Sequence, residues 1–175
     1  ISCAQCRSDR GDCDEMIKHI LVVCEGNICR SPMAAAFLQS QLRDVAVTSA
    51  GLNALLGSPS PDYARQVMRE RGLPIDSHRA QQITDAVCTN AELILVMDNV
   101  QRREVEKRFP FAKGKVFRVG ERGDFDIDDP YRQGRSGFEH CAQAIETGIS
   151  DWVKRLNMIA GGSGMRPPTV DKSRS

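Results

Sequence analysis

Apolar residues follow two rhythms along this chain. Short unbroken runs, Ile20-Leu21-Val22-Val23, Leu93-Ile94-Leu95-Val96-Met97 and Val116-Phe117-Arg118-Val119, have the length and branched content of strands. Val45 to Ser49 reads as another, second in chain order. Between the runs the spacing turns helical. Met33 to Leu42 carries Ala34, Phe37, Leu38 and Leu42 on one stripe, and Asp62 to Arg71 is closed by Gly72. Residues 73–79 read as an irregular link and Gln81 to Cys88 as a short helix. Asn99 to Arg108 is a charged helix, with Glu104 one turn from Arg108 and Pro110 ending it. A polar loop from Gly120 to Gly137 precedes the clearest stripe of all: Phe138, Ala142, Ile145, Ile149, Trp152, Leu156, Ile159.

Strands alternating with helices predict an α/β fold, with a parallel sheet covered by helices on both faces. In such sheets a ligand sits beyond the carboxyl ends of the strands. One domain is expected over residues 16–160. Residues 1–15 read as a disordered leader or an expression remnant, and 161–175 as a disordered tail. Cys3, Cys6 and Cys13 with His19 could form a metal knuckle, but the second, well-spaced pair is missing, so no metal and no cofactor is expected.

Composition narrows the class. A 41% apolar chain of 175 residues can build one core, and a net charge of +1 shows no nucleic-acid footprint. No apolar run approaches the roughly 18 residues of a membrane helix, so the protein is read as not membrane-inserted. Seven cysteines, an odd count, suit a reducing cytoplasm better than a disulfide framework.

The chemistry lies where the first strand stops. Cys24 ends the run, a polar loop follows, and Ser31 and Pro32 read as N-cap and first residue of the next helix. Such a loop aims main-chain N–H groups, backed by a helix dipole, at whatever occupies its mouth. The phosphate-binding stretch is Glu25, Gly26, Asn27, Ile28, Cys29 and Arg30. Those dipoles and a guanidinium favour a thiolate at Cys24, and Arg30 can fold back to grip two phosphate oxygens. A nucleophile beneath a held phosphate suits in-line transfer through a phosphocysteine. Asp129, in the long loop, can supply a proton to the leaving group and recover one from water, with Asp128 as the competing carboxylate. Cys29 could trap oxidised Cys24 as a disulfide, or fill an apolar gap. Cys88 and Cys141 read as core.

Cys24-Glu25-Gly26-Asn27-Ile28-Cys29-Arg30-Ser31-Pro32 resembles the phosphate loop of the low-molecular-weight protein tyrosine phosphatases, and Asp129-Pro130-Tyr131 their general-acid motif. The resemblance runs from about His19 to about Leu156. It implies a three-layer sandwich with sheet order 2-1-3-4, and it selects Asp129 over Asp128. It also implies that His78, Ser31 and Ser49 hydrogen-bond with Asn27 to hold the loop, Ser31 serving the sulfur as well. Leu55 and Tyr131 would wall a phosphotyrosine ring. Ser49-Ala50-Gly51-Leu52 and Asp129 to Gln133 resemble the bacterial branch that acts opposite tyrosine autokinases of capsule and exopolysaccharide assembly. The expected partner is thus a phosphotyrosine protein, and the expected state a monomer or weak dimer. Three other readings compete. Arsenate reduction needs a downstream cysteine pair, where only Cys88 stands. Phosphoarginine phosphatases carry Thr where this chain has Ile28. A phosphate-binding adaptor would be expected to lack the nucleophile or the acid.

Overall fold

The computed structural model describes residues 17–161. The leader with Cys3, Cys6 and Cys13 and nearly all of the 161–175 tail lie outside them. Strand β1 (His19–Cys24) leads into helix α1 (Arg30–Gln41), strand β2 (Ala46–Gly51) and helix α2 (Asp62–Glu70). Helix α3 (Asp85–Asn90), strand β3 (Leu93–Val96) and helix α4 (Asn99–Arg108) follow. Strand β4 (Val116–Arg118) and the long helix α5 (Gly134–Gly161) complete the order. The strands pair in parallel as β2-β1-β3-β4, the expected order.

The period of two in the strands sorts the core into two layers. Ile20, Val22, Leu93 and Leu95 pack with α1, α2 and α5, against Met33, Phe37, Met68 and Ile145. Leu21, Val23, Ile94 and Val96 pack with α3 and α4, against Cys88 and Val105. Central strands covered on both faces have no polar side to show, which is why the runs carry no alternation. Chain order turns back at β1, since β2 lies on one side of it and β3 on the other. Cys24 sits at the carboxyl end of β1, at this switch point.

Departures from the sequence reading at three elements have a physical reason. Helix α1 starts at Arg30 with Cys29 in the cap position, so Ser31 lies inside the first turn, its hydroxyl bonded elsewhere. Residues Gln81–Ile83 are not helical: Gln82 forms a parallel bridge with Gly51, and Thr84 caps α3 by accepting from Val87 N–H at 3.3 Å. Helix α5 begins at Gly134 rather than Phe138, because its solvent-facing first turn adds no apolar residue to the stripe.

α5 meets the end of β4 closely. Trp152 Nε1 donates to the Arg118 carbonyl at 3.0 Å, and a Cβ at Gly148 would lie 2.6 Å from the Val119 carbonyl oxygen. Helix propensity alone favours Gly148→Ala by about 1 kcal/mol. The clash decides the sign: Gly148→Ala should lower unfolding free energy by about 2 kcal/mol in urea titration.

Candidate active site

The loop after β1 is built by tying its carbonyls outward. The Cys24, Glu25 and Gly26 carbonyls accept from the N–H groups of Leu52, Asn53 and Leu55 at 2.9, 3.0 and 3.1 Å. The Asn27 carbonyl lies 2.6 Å from His78 Nε2. In a trans peptide the N–H opposes the C=O. Four successive amides, of Glu25, Gly26, Asn27 and Ile28, therefore face away from these partners and into the mouth. A Cβ at Gly51 would come within 2.7 Å of the Glu25 carbonyl oxygen, so only glycine lets β2 approach the loop.

Asn27 locks the turn. It is fully buried at φ 54°, a left-handed conformation Asn tolerates better than most residues. Its Nδ2 donates to Ser31 Oγ at 2.8 Å and Ser49 Oγ at 3.0 Å, while Oδ1 accepts from Gln81 N–H at 2.8 Å. Ser31 Oγ lies 2.9 Å from Cys24 Sγ. Because Ser31 already accepts from Asn27, its single hydrogen is free for the sulfur. His78 must donate from Nε2, since a carbonyl only accepts, so its neutral form carries the hydrogen there. Burial pushes the His78 pKa below the ordinary 6.5.

Arg30 and Asp129 meet across the site. Arg30 is buried, with one terminal nitrogen donating to the Ile127 carbonyl at 3.0 Å and the other to Asp129 Oδ2 at 2.8 Å. The Ile127 N–H donates to the Met97 carbonyl at 2.8 Å, which fixes the loop just past β3. Asp129 Oδ1 accepts from Tyr131 N–H at 3.0 Å, and its carbonyl from Gln133 Nε2 at 2.7 Å. Upstream, Arg118 holds Asp124 at 2.6 Å and Asp126 at 2.9 Å. The two thiols nearest Cys24 behave as core groups. Burial, then the Asp129 carboxylate, raises the Cys29 pKa strongly, and burial pushes Cys141 up to about 12.

Cys24, Gly26, Ile28, Cys29 and Arg30 line a cavity of about 300 Å³ with Glu25, Asn53, Leu55, Asp129 and Tyr131. Larger hollows of about 380 and 440 Å³ lie beside Leu42 and behind Ser49. The Cys24 thiol, the Arg30 guanidinium and the Asp129 carboxylate meet in the smaller one, beside the loop after β1. Leu55 and Tyr131 are each about half exposed on its walls.

A family model described as low molecular weight phosphotyrosine protein phosphatase matches residues 19–159. The chain belongs to this family. It is 49% identical over 144 residues to the probable low molecular weight protein-tyrosine-phosphatase EpsP of Ralstonia nicotianae, covering 82% of this chain and 99% of that one. The solved structure of Vibrio vulnificus Wzb in complex with benzylphosphonate superimposes with a TM-score of 0.77 at 38% identity, covering 79% and 99%. The YwlE arginine phosphatase from Geobacillus stearothermophilus superimposes at 0.80 with 34% identity, covering 86% and 99%.

Several groups at this phosphatase-family site escaped the sequence reading. Asp98 Oδ2 stands 3.7 Å from Arg30 while Oδ1 caps α4 through Gln101 N–H at 2.7 Å. Its place just past β3, on the same edge as Cys24, was the signal available. Gln82 accepts from Ala54 N–H at 3.0 Å and donates to the Leu52 carbonyl at 2.8 Å, and Arg108 reaches that carbonyl at 2.7 Å. These contacts brace the wall loop.

Asn27→Ala should cost about 3 kcal/mol in urea unfolding, from left-handed strain plus unpaired buried partners, against about 1 kcal/mol for Ser49→Ala. His78 carries a sign in pH. Its folded pKa is lowered, so the unfolded chain binds more protons and stability falls as pH drops through 6.5 toward the folded value. Stability curves of wild type and His78→Gln should diverge in that direction, the wild type losing more.

Proposed function

We propose that this chain hydrolyses phosphotyrosine in proteins through a phosphocysteine intermediate. The observation that carries the reading is the contact between Arg30 and Asp129, which brings the guanidinium of the phosphate loop onto the carboxylate of a segment 99 residues away at the mouth holding Cys24. Phosphate enters on the four amides and takes over the Arg30 nitrogen that now holds Asp129. Cys24 sulfur, steadied by the Ser31 hydroxyl, forms a bond to phosphorus as the bond to the tyrosine oxygen breaks. Asp129, in its protonated form, gives its proton to the departing phenolate. Water then attacks phosphorus, the S–P bond breaks, Asp129 takes the water's proton, and inorganic phosphate leaves. Leu55 and Tyr131 grip the ring of the substrate.

Other readings of the site are less well supported. Ile28 lines the cavity and offers no hydroxyl to orient a guanidino-phosphate. Cys88 is fully buried in the layer beneath α3 and α4, away from the layer that contains Cys24, so it is poorly placed to relay electrons for arsenate reduction. An adaptor would have no use for an aligned nucleophile and acid. The partner we propose is a tyrosine autokinase of polysaccharide export, as the resemblance of Ser49 to Leu52 and Asp129 to Gln133 to the bacterial branch implies. A cytoplasmic location would keep Cys24 and Cys29, both free thiols, reduced. No helix among the described residues is long and apolar enough to cross a membrane.

Hydrolysis of p-nitrophenyl phosphate tests the mechanism. Cys24→Ser should abolish turnover, and surviving activity would sink the covalent route. Asp129→Asn should slow phenyl phosphate about 10²–10⁴-fold but affect p-nitrophenyl phosphate much less, because a good leaving group needs little proton donation. Equal losses would remove Asp129 from the acid role.

A further inference from the structure

A carboxylate is an odd component of an anion-binding loop, since it repels the ligand the loop collects. Glu25 is exposed on the rim of the cavity, its Oε1 held by Asn53 Nδ2 at 2.5 Å. Among the described residues no cation pairs with it. On the acid-loop wall, Arg132 is exposed and likewise without an ionic partner in that set, its guanidinium stacked over the Tyr131 ring at 5.4 Å from the centroid. Arg132 holds φ 67°, a left-handed conformation that costs a residue with a Cβ about 1–2 kcal/mol. The turn that imposes it is closed by Gln133 N–H on the Pro130 carbonyl at 3.0 Å. The rim therefore carries a positioned negative charge at Glu25 and, beside the lining residue Tyr131, a positioned positive one at Arg132.

We propose that this mouth reads the charges flanking the phosphotyrosine: Glu25 takes a Lys or Arg on one side of it, and Arg132 an Asp or Glu on the other. The partner is an extended peptide with opposite charges on its two sides, accepted in one chain direction over the other. The inference rests on the reading of the cavity as a phosphotyrosine cleft and adds a substrate preference to it. The phosphate seat supplies most of the binding, and the rim pair, exposed and screened by salt, supplies discrimination of modest size.

The test uses two peptides of identical composition, Lys before and Glu after the central residue, or the reverse. A phosphonomethyl-phenylalanine replaces the phosphotyrosine, so that binding is measured by calorimetry without turnover. The wild type should prefer one order about fivefold in Kd, the size that two exposed ion pairs supply. Glu25→Gln or Arg132→Gln should each roughly halve that preference. Their combination, or molar salt on the wild type, should remove it. Equal Kd values for the two orders in the wild type would overturn the inference, as would a preference of wild-type size surviving in the double variant. Ordered binding by a protein that leaves p-nitrophenyl phosphate intact would support the charge reading and count against hydrolysis, so the two ideas fail separately.

Discussion

The site depends on a constraint on peptide planes. Binding a tetrahedral anion requires several neighbouring N–H groups to point one way, which forces several neighbouring carbonyls to point the other. Buried carbonyls left bare would cost more than the anion returns. Here the wall loop after β2 and His78 absorb four of them in succession. The shared direction of those amides is therefore a consequence of how residues 52–55 and 78 are bonded to 24–27. Asn27 completes the arrangement by placing its backbone in a conformation that a branched residue would resist.

Electrostatics enter on top of that scaffold. The Arg30 guanidinium, buried and bonded to the Ile127 carbonyl and Asp129, joins the loop after β1 to the loop after β4. Asp98 approaches it from the end of β3. Three segments distant in sequence thus converge on one cation, and the sheet order explains how. β1 and β3 are neighbours, and all three segments emerge from the same edge of the sheet.

Much of this was legible before any coordinates. Buried parallel strands announce themselves as unbroken apolar runs, and the stretch from Cys24 to Pro32 carries its chemistry locally. Helix stripes located α1, α2, α4 and α5 to within a few residues. The misreadings at Ser31 and Gln82 share one cause. Ser31 looks like a cap because serine before proline usually is one, but the sulfur of Cys24 and the amide of Asn27 compete for its hydroxyl. Gln81 to Cys88 looks helical until Gln82 is claimed by Gly51 and by the wall loop. Asp98 and Arg108 contribute through contacts with residues 56 or more positions away, which no local pattern encodes.

The two walls of the cavity are anchored differently. The β2-side wall continues the strand ladder: its main chain is bonded residue by residue to the phosphate loop, with Gln82 and Arg108 bracing it from behind. The Tyr131 side is tied to the end of β3 through Ile127 N–H on the Met97 carbonyl, and otherwise by ionic and side-chain bonds around Arg118, Arg30 and Asp129. The two sides of the cleft thus differ in kind, one an extension of the sheet and the other joined to it mainly through side chains.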